Sequence, residues 1–190
     1  MKQSYIAGIA LLVCLIVAAI ALSADAPGSD DGPILVIGDS MNVLVVGARS
    51  LSDLAAAGIP APEELQIPRG IKRYDVVTFD HTALSREIRD GLPLSIHGTV
   101  YRAKQHGMGF EQIDDGIDTS EGAIIGVEES DILLTTGENV LVGSITFGNE
   151  TFWIIPVEPR ARAEQSESPL HIIYRSEDVF CPAGPPVPID

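Results

Sequence analysis

Cationic residues are scarce in this chain of 190 residues: 12 Lys and Arg stand against 27 Asp and Glu, for a net charge of −15. An acidic surface has no means of gathering nucleic-acid phosphates, which excludes nucleic acid as a partner. Cysteine is scarcer still, with only Cys14 and Cys181. Cys14 lies inside an apolar run, so an intrachain disulfide framework is excluded and the fold must rest on its core. The four histidines, His81, His97, His106 and His171, form no His-x-x-x-His or His-Glu-x-x-His spacing, and no Cys-x-x-Cys is present. No resident metal site and no cofactor is therefore expected, and surface or strand-edge positions are the default for these side chains.

Apolar residues, by contrast, make up 45% of the chain, which excludes wholesale disorder. The length suits one domain, since domains cluster near about 100–150 residues. Part of the apolarity is concentrated in IAGIALLVCLIVAAIAL, residues Ile6–Leu22, preceded by Lys2 and followed by Ser23 and Ala24. Charge, length and small-residue exit mark an export signal. The run also reaches the lower limit of a bilayer span, so residues 1–24 are a signal peptide or an N-terminal membrane anchor. Cleavage after Ala24 removes Lys2 and no acid, leaving eleven basic residues against 27 acidic, a charge of −16. The chain is expected to be extracytoplasmic, secreted or anchored to the membrane through residues 6–22.

Residues 25–32, DAPGSDDG, read as a flexible leader, and residues 33–180 as the folded domain. Ile34–Ile37 and Val43–Val46 are two short buried strands. Ser50 and Asp53 cap a short helix that stops at Gly58, and Pro60, Pro62 and Pro68 make a loop. Val76–Phe79 is a strand, Ala83–Arg89 a helical turn or two, and Leu94–Tyr101 one half-buried strand. Gly107–Glu121 is read as an acidic loop. Ala123–Val127, Asp131–Thr135, Val140–Phe147, Thr151–Ile155 and Leu170–Tyr174 complete the strands. The turns among the first four of these are too short for parallel crossovers and force antiparallel neighbours. The expected fold is mainly β: an antiparallel, sandwich-like sheet or meander with one or two short helices, ending in a Pro-rich extended tail over residues 181–190.

Few residues suggest chemistry. ILVIGDS, Ile34–Ser40, resembles the nucleophile block of GDSL/SGNH hydrolases, which would make Ser40 an esterase nucleophile. The likeness covers seven residues, and where that family has Asp-x-x-His this chain has Ser168 three positions before His171. Asp114, Asp115, Asp118 and Glu121 form an acidic cluster without EF-hand spacing, read as a solvated turn. Asn149-Glu150-Thr151 is a glycosylation sequon in a hairpin turn, with Asn149 the acceptor. Cys181 is a thiol directly after the last strand, able to form an intermolecular disulfide, to stay free, or to ligate a partner's zinc.

A wider resemblance runs from Val76 to Val179. GAIIGVEESDILL (Gly122–Leu134), LVGSI (Leu141–Ile145), FWIIPV (Phe152–Val157) and LHIIYR (Leu170–Arg175) occur in that order. They resemble the propeptide of secreted zinc metalloproteases of the reprolysin/adamalysin type and their microbial relatives. The resemblance implies a noncatalytic domain that assists folding of a protease, or holds it inactive with a cysteine on the catalytic zinc; Cys181 stands where such a cysteine would come. No protease domain follows in this sequence. The expected function is thus a noncatalytic, exported, propeptide-like domain that binds a protein partner, an exported zinc metalloprotease first among them, in trans. A cell-surface structural or interaction domain without a protease partner is the alternative, and an esterase using Ser40 the weaker one.

Overall fold

The computed structural model describes residues 32–59, 65–107, 116–158 and 168–180, all within one compact unit. Residues 1–31, with the run Ile6–Leu22 and most of the leader, lie outside them, as do the tail and Cys181. Among the described residues, no helix is long and apolar enough to cross a membrane.

Ten strands form one antiparallel, nearly closed sheet: β1 (Leu35–Ile37), β2 (Met41–Ala48), β3 (Tyr74–Phe79), β4 (Leu92–Ile96), β5 (Thr99–Gly107), β6 (Asp118–Ile124), β7 (Ser130–Gly137), β8 (Val140–Phe147), β9 (Glu150–Pro156) and β10 (Leu170–Arg175). Their order is β1-β4-β5-β6-β7-β8-β9-β10-β3-β2. From β4 to β10 the chain is a plain meander. Helix α1 (Leu51–Ala56) follows β2 and helix α2 (His81–Asp90) follows β3. The mainly antiparallel β reading, a sheet or meander with short helices, stands; among the described residues the strands form one nearly closed sheet.

Alternation fills the inside. Residues of one parity on each strand point inward, and Leu35, Ile96, Ile132, Ile145, Phe152 and Ile173 meet there fully or almost fully buried. Leu84 and Ile88, one helical turn apart on α2, close one end of this interior. The helix starts at Asp80, whose Oδ1 accepts the Ala83 N–H at 3.0 Å, and stops at Gly91. A second cluster lies on the outer face of β3 and β10, where Tyr74, Val76 and Ile172 are covered by Leu54 of α1 and by Leu65 and Ile71. That second layer is why β3 and β10 are buried on both faces.

Three local expectations are corrected. Leu94–Tyr101 is not one strand but the hairpin β4–β5, turning at His97 (φ 50°) and Gly98 (φ 75°). Two successive positive φ values define a type I′ turn, which matches the twist of the flanking strands. Asp118–Glu121 is not loop but the first half of β6. Val43–Val46 is not a fully buried run: β2 is an edge strand with Leu44 and Val46 exposed.

Candidate functional site

The sheet ends at β1 on one side and β2 on the other, and a carboxylate spans the gap. Asp75 of β3 is fully buried; its Oδ2 accepts the Ile34 N–H at 2.7 Å and its Oδ1 the Gly47 N–H at 2.7 Å. Gly47 lies in a part of β2 where the register with β3 shifts, so its N–H is free of the ladder to take this bond. Burial pushes the Asp75 carboxyl above its usual range, against the two backbone donors that lower it.

His171 contradicts the surface or strand-edge default: it is fully buried on β10. Its Nδ1 meets the Pro169 carbonyl at 3.1 Å and its Nε2 accepts the Leu141 N–H at 3.1 Å. This pairing requires a neutral ring with the proton on Nδ1. Burial drives its pKa down to about 4, with His81 acting in the same direction. The His81 ring, at the start of α2, lies 5.4 Å from the His171 ring, and Phe79 packs edge-on to His171 at 5.3 Å. His81 also departs from the default, because both its ring nitrogens are shielded from solvent and lack a hydrogen bond. Burial lowers its pKa too. His97 and His106 do lie at the surface, paired with Glu150 at 2.6 Å and Glu121 at 2.9 Å.

Ser40 sits in the turn between β1 and β2. Its Oγ donates to Glu87 Oε2 of α2 at 3.1 Å, and its carbonyl accepts the Asp80 N–H at 3.1 Å. The turn is thereby fastened to the start of α2, and His171, with both nitrogens on backbone groups, is not offered to Ser40 as a base. Asp114 and Asp115 lie outside the described residues; Asp118 opens β6 at the surface and Glu121 pairs with His106. Among the described residues, no three His, Cys, Asp or Glu side chains converge as metal ligands. Asn149 is exposed in the turn between β8 and β9, accessible as the sequon expects. Phe180 precedes Cys181 directly and is tied down: its N–H donates to the Gly70 carbonyl at 2.7 Å, with Lys72 Nζ 4.5 Å from its ring centre.

A strip of partly exposed apolar side chains runs along the outer face of β7, β8 and β9. Leu133 pairs with Ser144, Ser144 with Trp153, and Trp153 with Tyr174, so these side chains share one face. Leu133, Val142 and Trp153 are each about 40% exposed, the strip beginning where the cover over β10 and β3 ends. Trp153 is fixed in place, its Nε1 donating to Ser176 Oγ at 2.9 Å. Neither protein-family models, nor curated proteins, nor solved structures include a match to this chain.

Sequence reasoning missed Asp75 and this strip. The signal for Asp75 is a lone acid inside the apolar and aromatic run Tyr74–Phe79. The strip carries no such signal, because its members are ordinary strand residues whose neighbours come from other strands.

Proposed function

We propose that the chain is a noncatalytic, exported domain that binds a protein partner through the outer face of β7, β8 and β9. Trp153 carries this reading: a large aromatic side chain, held by Ser176 and sharing its sheet face with Leu133 and Val142, stands about 40% exposed. Immobilised aromatic anchors of this kind dominate protein interfaces, since little side-chain entropy is lost on binding. The buried polar groups favour the same reading, for Asp75 closes the sheet and His171 ties β10 to β8.

The partner class is an exported zinc metalloprotease, inhibited or helped to fold in trans, as the propeptide resemblance implies. Cys181, directly after the anchored Phe180, is the thiol that would reach its zinc. The test is to titrate the full chain against an exported zinc metalloprotease from the same source and follow cleavage of a peptide substrate. Inhibition that weakens at least about tenfold in Trp153→Glu, with the fold retained, supports the proposal. Equal potency of Cys181→Ala removes the thiol from the mechanism. Binding without any change in proteolysis assigns the chain instead to the cell-surface interaction class.

A further inference from the structure

His81 occupies the first position of α2, and its ring packs against Phe79 and His171, with ring centres 6.2 and 5.4 Å away. Both ring nitrogens are sealed from solvent and unbonded, so the neutral ring serves there only as a packing group. A protonated ring could not stay. It would carry two N–H donors with no acceptor, beside a second imidazole and at the end of a helix where the backbone N–H groups already point outward. Burial accordingly holds the His81 pKa below the ordinary 6.5, against the Asp80 carboxylate that raises it.

The residue borders an open cleft, lined also by Asp118 at the start of β6, Glu138 in the β7–β8 turn, and Arg86 and Arg89 of α2. The helix itself need not move to let the ring out. Leu84 and Ile88 are buried, the Asp80 side chain caps the first turn, and the Asp80 N–H is bonded to the Ser40 carbonyl. A side-chain rotation suffices, and a change of rotamer costs little beside an unpaired buried charge. We propose that His81 is an acid-released plug: neutral, it seals His171 inside the barrel, and protonated, it turns out into the cleft and admits water to the bond between the His171 ring and the Leu141 N–H. Asp118 and Glu138 favour the outward position, Arg86 and Arg89 oppose it, and Asp80 acts on the ring already in the sealed one. Mild acid thus loosens the tie between β10 and β8 before His171 itself, titrating at about 4, takes a proton.

The test is hydrogen exchange of the Leu141 amide in the full chain in detergent micelles, corrected for the intrinsic pH dependence of exchange, alongside an NMR titration of the His81 ring. Protection of Leu141 should fall at least about tenfold as pH drops from neutrality to about 5, in step with the His81 titration, while Trp153 emission stays constant. His81→Phe keeps a packed ring and removes the proton, so protection should hold throughout this range. Asp118→Asn combined with Glu138→Gln, both at exposed positions, should move the loss to lower pH and leave protection at neutral pH unchanged. This second variant keeps the test decisive if His81→Phe fails to fold. The proposal is overturned if Leu141 protection falls equally in His81→Phe, if it falls only where Trp153 emission changes with it, if the His81 ring titrates without any change at Leu141, or if the double variant leaves the midpoint where it was.

Discussion

The Asp75 carboxylate on β3 accepts the Ile34 N–H from the start of β1 at 2.7 Å, while its other oxygen takes the Gly47 N–H of β2 at the same distance. One side chain thus supplies acceptors where β1 and β2 lack a ladder. Asp75→Ala leaves two backbone donors without partners, each worth about 1–3 kcal/mol when buried. Urea unfolding should show a loss of roughly 2–4 kcal/mol, with Asp75→Asn, which keeps one acceptor, falling between variant and parent. A change below about 0.5 kcal/mol in Asp75→Ala would show that the seam closes without it.

Acid should weaken the fold through His171. The folded ring titrates at about 4, against an ordinary 6.5. Because the folded pKa is depressed and the base is the neutral form, the stabilisation is complete above the ordinary value and is lost as pH falls from there toward 4. Roughly 3 kcal/mol is at stake over that window. Asp75 acts with the opposite sign: its raised pKa favours the fold most at low pH and offsets part of the loss. An NMR titration of the His171 ring with a midpoint near neutrality would contradict its burial.

Two glycines should respond differently to the same substitution. A Cβ on Gly98 meets nothing within 4 Å, so Gly98→Ala costs only the left-handed backbone, about 1–2 kcal/mol. At Gly143 the new Cβ would drive into the Leu133 carbonyl and the Leu134 side chain. Gly143→Ala should therefore be the more damaging, at about 3 kcal/mol or more by thermal unfolding, because a neighbouring strand has to move.

Ser40→Ala separates a structural hydroxyl from a nucleophile. With its Oγ on Glu87 at 3.1 Å, the expected result is a loss of about 1 kcal/mol of stability and no Ser40-dependent hydrolysis of p-nitrophenyl acetate. Ester turnover that disappears in the variant would restore the esterase reading.

Trp153 is the sole tryptophan, so its fluorescence reports the outer strip alone. Acrylamide should quench it readily in the free chain. Engagement of a partner on the strip should protect it and shift its emission to the blue, and unchanged quenching in a complex would place the interface elsewhere.

Much of the fold is written locally. Val140–Phe147 is found at its expected limits because two-residue turns bound it on both sides. The capping residues Ser50 and Asp53 likewise place α1 correctly. Leu94–Tyr101 misleads because apolar alternation continues through His97 and Gly98, and only the positive φ at a histidine reveals the turn. His171 sits between Leu170 and Ile172, a setting that already favours burial, but its bond to Leu141 joins strands far apart in the chain.

The ladder between β3 and β10 has a kinetic side. It joins Thr78 to Leu170, about ninety positions apart, whereas the meander from β4 to β9 grows mostly hairpin by hairpin. Local pairs form at small entropic cost, and a sheet completed by so distant a pair has to wait for them. Mutations at the β3–β10 ladder should therefore speed unfolding far more than they slow folding, making this junction the place where the lifetime of the native state is set.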